Sequence, residues 1–110
     1  MQTDVITAES IEGIALSFAD SVPVSKIILY GSRATDEAGP DSDIDLLVIE
    51  KDVPETRRER NRLRSLLPPD LPVWVDIWVM SEERFEEEKD VIGSLAYPAN
   101  KFGRVVYEKP

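Results

Sequence analysis

The chain has neither cysteine nor histidine among its 110 residues. The absence of cysteine excludes disulfides, thiolate nucleophiles and cysteine-ligated metals. The absence of histidine excludes, within this chain, Ser-His-Asp hydrolysis, histidine-ligated zinc and ribonuclease chemistry that depends on histidine. Catalysis would therefore use Asp, Glu, Ser, Thr, Tyr, Lys, Arg or a bound ion, and we expect carboxylates that hold a hard cation.

Long apolar runs are missing as well. No stretch approaches the roughly 20 apolar residues that a membrane-spanning helix needs, and the N-terminus lacks the basic and then apolar pattern of a signal peptide. We therefore expect a cytoplasmic protein that does not associate with membranes.

Acidic residues dominate the charge, with 22 Asp and Glu against 13 Lys and Arg and a net charge of -9. A field of this sign repels phosphate backbones, so direct nucleic-acid binding is not expected. The hydrophobic share of 42% is typical of a globular domain rather than a disordered chain. The length suits a single domain over residues 1–110.

Apolar spacing and turn residues predict an α/β domain. Ile11, Ile14, Ala15 and Phe18 form one helical stripe that follows a candidate N-cap, Thr7. The predicted elements, in chain order, are a helix over 7–20, strands over 22–30 and 44–49, a helix over 54–67 with Pro54 near its first position, a strand over 73–80, a helix capped by Ser81, and a strand over 104–107. This order predicts a small mixed β-sheet with helices packed mainly on one face.

The most informative motif is Gly31-Ser32, separated by ten residues from Asp43-Ile44-Asp45 at the start of a predicted strand. Residues two apart in a strand project to the same face, so Asp43 and Asp45 would share one exposed edge. Their mutual repulsion would be about 3 kcal/mol at an effective dielectric near 20, and a divalent cation would reverse it. The pair therefore predicts a Mg²⁺ site.

This prediction depends on the spacing between Gly31-Ser32 and Asp43, and not on the two carboxylates alone. The chain has ten aspartates, so one Asp-x-Asp is expected by chance, whereas the added Gly-Ser at this distance lowers the chance expectation to about 0.003. Gly31 would let a phosphate approach the backbone N–H groups, and the Ser32 hydroxyl could donate to it. An ordinary turn is the alternative interpretation of Gly31-Ser32.

Asp76 is a candidate third carboxylate. It interrupts a strongly β-forming run, in which alternation places Val73, Val75, Ile77 and Val79 on one face and Trp74, Asp76 and Trp78 on the other. If the aliphatic face packs on the helices, Asp76 shares the open face with Asp43 and Asp45. The alternative is an edge-strand Asp that faces water.

Gly-Ser, ten residues and Asp-x-Asp between two strands, with a lone Asp in a third strand, resemble the minimal nucleotidyltransferases of the DNA-polymerase-β-like superfamily. The group that the chain resembles most is the MntA-type antitoxins, which are encoded beside HEPN-domain ribonuclease toxins. The resemblance extends from Ile27 to Tyr107, including Gly-Ser-Leu-Ala-Tyr and the final Gly-Arg-Val-Val-Tyr-Glu. Members of the family often carry Arg-Gly where Thr35-Asp36 stands here.

This resemblance implies a function and a set of site residues. It implies that Asp43 and Asp45 ligate two Mg²⁺ ions, that Asp76 is the third metal ligand or a base, and that Gly31-Ser32 cradles the triphosphate. It further implies that ATP is the donor and that a tyrosine hydroxyl of the partner toxin accepts the AMP. Two alternatives stay open: an antitoxin that binds a basic toxin without catalysis, and transfer to a small molecule such as an aminoglycoside.

Three features have two interpretations each. Arg33 could neutralise phosphate charge, or it could pair with Asp36 or Glu37. Five arginines lie between Arg57 and Arg64; they either form a solvated face paired with Glu55, Glu59 and the acidic helix near Glu86, or a docking surface for RNA or an acidic partner. Trp74 and Trp78 mark an interface or a base-stacking platform, or they are buried under the last helix.

Overall fold

The structure is a computed structural model that describes residues 6–110. Its elements, in chain order, are α1 (Ala8–Ser21), β1 (Val24–Tyr30), β2 (Ile44–Glu50), α2 (Thr56–Arg64), β3 (Val75–Ser81), α3 (Glu82–Glu88), α4 (Ala96–Phe102) and β4 (Arg104–Glu108). No helix within residues 6–110 has the length and apolar character needed to cross a membrane.

The four strands form one sheet in the order β3-β2-β1-β4. β1 pairs antiparallel with both β2 and β4, whereas β2 and β3 are parallel. Parallel neighbours need a crossover connection, and the segment containing α2 supplies it. The predicted class, a small mixed sheet with helices, is confirmed.

Alternating side chains build a hydrophobic cluster on each face of the sheet. On the first face, residues such as Leu29, Leu46 and Ile77 pack with Phe18 of α1 and Leu63 of α2. The second face is covered at one end only, where α3 and α4 pack on it through the buried residues Ile28, Leu47, Ile49, Met80, Phe85, Ala96 and Ala99. The two longer helices therefore share one face, and the other end of the second face stays open.

The caps predicted for two helices are present. Thr7 caps α1, with the Ser10 backbone N–H donating to Thr7 Oγ1 at 3.0 Å. Ser81 caps α3 by accepting from the backbone N–H of Arg84 at 3.1 Å. Each oxygen satisfies one of the N–H groups that have no partner inside the helix.

Two helix predictions need correction. Glu55 is the N-cap of α2, so Pro54 lies before the cap and not at the first helical position. After Arg64 the chain continues in tight turns, in which Leu66 N–H donates to Leu63 O at 3.0 Å, so α2 is shorter than predicted. In addition, the region after Ser81 holds two helices rather than one, because Gly93, with φ of 100°, separates α3 from α4.

Candidate active site

Asp45 and Asp76 lie side by side on neighbouring strands. They are direct partners in the β2–β3 register, and on the other side Asp45 pairs with Tyr30 of β1. Because Ile44 and Leu46 point into the first cluster, Asp45 points to the second face of the sheet. The three side chains therefore form one row across three strands, at the end that α3 and α4 leave open.

Asp43 lies just outside this row. β2 begins at Ile44, so Asp43 precedes the strand and is exposed, whereas Asp45 and Asp76 are half-buried. Burial raises the pKa of the Asp45 carboxyl above its usual range, and the negative charges of Asp76 and Asp43 raise it further. The three predicted carboxylates thus belong to one electrostatic unit, although Asp43 reaches it from the loop.

Tyr30 is a member of the site that the sequence motif did not include. Burial raises the pKa of its hydroxyl, and the charges of Asp45 and Asp76 raise it further, so the phenol stays protonated beside two carboxylates. Its position immediately before Gly31 was a usable signal, because the last residue of β1 has to lie at the same edge as the first residues of β2.

Gly31 is required for two reasons. Its φ of 77° lies in the left-handed region that other residues avoid, and a Cβ at this position would collide with Oδ2 of Asp45. The backbone of the Gly-Ser turn therefore lies directly against the Asp45 carboxylate. The approach of a phosphate to this turn stays a prediction.

Arg33 holds the loop that connects β1 to β2. Its Nε donates to Ser42 O at 2.9 Å, and one terminal nitrogen donates to Pro40 O at 3.3 Å. Ion pairs with Asp36 or Glu37, the alternative from the sequence, are not formed within the described chain. Contact between Arg33 and a phosphate stays a prediction.

A tight turn follows Ser32, and Asp36 completes it. The backbone N–H of Glu37 donates to Ser32 O at 3.0 Å, and Asp36 adopts φ of 63°. This is the left-handed conformation that glycine adopts most readily and that Asp tolerates. It explains physically why a glycine is common at this position in the family that the sequence resembles.

Trp74 and Trp78 are 55% and 41% exposed, so burial under the last helix is wrong. The indole Nε1–H of Trp74 donates to Asp76 Oδ1 at 3.1 Å. Trp74 thereby orients one of the site carboxylates, which the strand pattern alone did not indicate.

The donor chemistry of the site fits a hard divalent cation. Asp43, Asp45 and Asp76 offer carboxylate oxygens, and the pKa of Asp45 is raised first by burial and then by the charges of Asp76 and Asp43. In the conformation of residues 6–110, no three Asp or Glu side chains are gathered tightly enough to hold a metal ion.

The family model for the nucleotidyltransferase domain matches residues 11–97. The chain belongs to this family. The match includes β1, the Gly-Ser turn, the Asp-x-Asp motif and Asp76, and the chain is accordingly a nucleotidyltransferase. No curated protein matches it in sequence.

Solved structures share the nucleotidyltransferase fold. A protein from Sulfolobus solfataricus, described as a candidate nucleotidyltransferase, is 20% identical with a TM-score of 0.65, covering 93% of this chain and 80% of that one. A toxin–antitoxin complex with AMP-PNP gives 21% identity and a TM-score of 0.66, covering 89% and 73%. A mutant MntA–HpeT toxin–antitoxin complex gives 19% identity and a TM-score of 0.64, covering 94% and 75%.

Proposed function

We propose that this nucleotidyltransferase transfers AMP from ATP to a tyrosine hydroxyl of a HEPN-type ribonuclease toxin and thereby acts as its antitoxin. The observation that carries the proposal is the packing of the Gly31 backbone against Asp45, which lies beside Asp76 in the sheet register. This arrangement supports the proposal, because a turn that would bind phosphate lies next to two carboxylates.

The fold neighbours support the choice of donor and partner. One of them is a toxin–antitoxin complex with AMP-PNP, an analogue of ATP. Another is an MntA–HpeT toxin–antitoxin complex in which two aspartates two positions apart are changed to glutamate. Asp43 and Asp45 have the same spacing in this chain.

In the proposed reaction, the acceptor hydroxyl oxygen attacks the α-phosphorus of ATP. A new bond forms between these two atoms, the bond from the α-phosphorus to the bridging oxygen breaks, and pyrophosphate leaves. The hydroxyl proton passes to a carboxylate of the site, which we assign to Asp76. The N–H groups of the Gly31-Ser32 turn and the Ser32 hydroxyl would hold the triphosphate in line for this displacement.

Asp43, Asp45 and Asp76 would hold two Mg²⁺ ions. When bound, the ions lower the pKa of the attacking hydroxyl and stabilise the leaving pyrophosphate. This chain's own contribution is to hold Asp45 and Asp76 on adjacent strands. Because three carboxylates share the site without a counter-charge, we expect NTP binding to depend on the cation.

The test uses ATP labelled at the α-phosphate, Mg²⁺ and the protein encoded by the adjacent gene. We expect label on that protein, on a tyrosine, and its loss with Asp43→Asn. Asp41→Asn is the matched control, because Asp41 is an exposed aspartate of the same loop. Undiminished transfer by Asp43→Asn would contradict the site assignment.

Two other outcomes would replace the proposal. Neutralisation of the toxin without ATP, by a chain with both Asp43→Asn and Asp45→Asn, would indicate an antitoxin that acts by binding alone. Label on an aminoglycoside, and on no protein, would indicate a small-molecule acceptor.

A further inference from the structure

Two sequence features that are separate in the chain meet on the structure. Arg60 and Arg64 lie one turn apart on α2, and their guanidinium groups lie over the indole rings of Trp78 in β3 and of Trp74 just before it. The distance from Cζ to the ring centroid is 4.3 Å for Arg64 over Trp74 and 5.7 Å for Arg60 over Trp78. We call these four residues the Trp–Arg surface.

The Trp–Arg surface is open to a partner. Both indoles are exposed, and β3 is an edge strand that pairs only with β2 in the described sheet. Exposed Trp and Arg together are typical of the residues that dominate binding energy at protein interfaces. The surface is therefore a candidate for docking rather than for intramolecular packing.

The arginines of α2 form no ion pair among residues 6–110, although the charge of Arg62 lowers the pKa of Glu50. The ion pairs of residues 6–110 are Lys26–Glu108, Arg84–Glu88 and Lys89–Glu86. The expected pairing of the arginines with Glu55, Glu59 and the acidic helix is thus wrong, even though the net charge is -9. Arg64 donates one N–H to Val75 O at 2.9 Å. Neither Arg60 nor Arg64 forms an ion pair among the described residues, and this favours a partner of opposite charge.

The surface adjoins the candidate active site. Trp74 contributes its ring to the surface and its indole N–H to Asp76 at 3.1 Å. A segment bound over Trp74 would therefore lie next to the carboxylate to which we assign the acceptor proton.

We propose that the Trp–Arg surface docks an acidic segment of the acceptor protein. This inference rests on the proposed transfer of AMP to a protein hydroxyl. Carboxylates of that segment bind Arg60 and Arg64, and its apolar atoms pack on the two indoles. Docking of this kind supplies recognition of the acceptor, whereas the Gly-Ser turn and the aspartates bind the nucleotide.

Single-stranded RNA fits the same surface less well. A base stacks on a free aromatic face, but Arg64 at 4.3 Å already covers one face of Trp74. An acidic peptide needs only the outward N–H groups of the guanidiniums and the exposed edges of the rings.

The test exploits the fact that Trp74 and Trp78 are the two tryptophans of the chain, so that intrinsic fluorescence reports on this surface. The probes are a short glutamate-rich peptide containing one tyrosine and a uridine RNA of equal net charge. The variant Arg60→Gln with Arg64→Gln is compared with Arg57→Gln with Arg58→Gln, which removes the same charge from the same helix. Binding of ATP with Mg²⁺ is measured in parallel for all forms.

We expect the peptide to change the fluorescence and the Arg60→Gln/Arg64→Gln form to bind it about tenfold more weakly. The Arg57→Gln/Arg58→Gln form should bind it within about twofold of the unaltered protein, and all forms should bind ATP equally. Tighter binding of RNA than of peptide, or equal loss in both double variants, would overturn the inference.

A transfer assay separates this inference from the proposed function. If the adjacent-gene protein is labelled equally by the Arg60→Gln/Arg64→Gln form, the docking surface is wrong and the function stands. If no form labels that protein but the peptide binds as expected, the function is wrong and the surface stands.

Discussion

Each end of β2 carries a carboxyl group with a raised pKa, and the two groups have different surroundings. At one end, the pKa of Asp45 is raised by burial and then by Asp76 and Asp43. At the other end, Glu50 is 2% exposed. Burial and the neighbouring Glu59 raise its pKa to about 8, and the positive charge of Arg62 opposes this rise only in part. Oε2 of Glu50 is buried without a hydrogen-bond partner.

This comparison teaches that a raised carboxyl pKa does not by itself mark an active site. Asp45 lies where a backbone turn and a second strand carboxylate converge, whereas Glu50 lines a pocket together with the segment before α2 and with α2 itself. The two raised pKa values therefore arise in different surroundings, and only those of Asp45 combine a phosphate-sized backbone turn with a second strand carboxylate. The difference in chemical role follows from the neighbours.

The largest expected effect is a difference in transfer activity between variants at the two ends of β2. Asp45→Asn should reduce nucleotidyl transfer at least about 100-fold, because it removes a carboxylate that we assign to cation binding, while the fold is kept. Glu50→Gln should leave transfer within about twofold, since Glu50 faces away from the site. Equal loss of activity in both variants, measured by label transfer at one temperature, would contradict the comparison.

The second effect is a change in how stability depends on pH. Glu50 has an ordinary pKa of 4.5 when unfolded and about 8 when folded, so between these values the native state holds a proton that the unfolded state has released. Stability should therefore fall as pH rises through this window and then level off.

Glu50→Gln should remove that fall, because glutamine has no proton to lose. Urea unfolding of both forms at pH of about 5 and about 9 measures it. If Glu50→Gln loses as much stability between these two pH values as the unaltered chain does, Glu50 is not the group that causes the fall.

The third effect concerns the turn against Asp45. Gly31→Ala should destabilise the fold by about 1–3 kcal/mol, because φ of 77° and the contact with Asp45 Oδ2 both oppose a side chain. Gly39→Ala is the matched control in the same loop, where an added Cβ meets no atom within 4 Å. Thermal unfolding of the two variants should separate them, and equal melting temperatures would refute the close approach.

The smallest effect concerns the orientation of Asp76. Trp74→Phe removes the N–H that donates to Asp76 and keeps an aromatic ring under Arg64. Because such a hydrogen bond contributes about 0.5–1 kcal/mol, transfer should fall about twofold to fivefold. Trp78→Phe is the control and should change the rate less. The opposite ranking of the two variants would assign the orienting role to Trp78.

Local patterning was sufficient to predict most of the fold. The stripe from Ile11 to Phe18, the caps Thr7 and Ser81, and the β-branched runs each had a local physical cause, and all of them are present. The boundary at Gly93 was missed because a glycine within an acidic, helix-forming stretch does not reveal its φ. The end of α2 was missed because tight turns and helix share the same residue preferences.

The sequence predicted most of the residues of the site, but it did not predict how they lie relative to one another. Alternation placed Asp76 on the open face, but only the strand order shows that it lies directly beside Asp45. Tyr30, the bond from Trp74 to Asp76 and the stacking of Arg64 depend on which strands and helices become neighbours. The pairing expected for the arginines was wrong for the same reason, because α2 packs along β3 and turns Arg60 and Arg64 towards the indoles.

The pairing of β1 with β4 has a consequence for the order of folding. β1 takes one neighbour from the adjacent segment and its other neighbour from residues Arg104–Glu108. Gly103 permits the close start of β4, since a Cβ there would meet Ala99 O and Ile28. The β1–β2 hairpin closes a short loop and can form early, whereas β4 must wait for a much longer loop to close. On the ribosome, one side of β1 therefore stays unpaired until the last strand has left the exit tunnel.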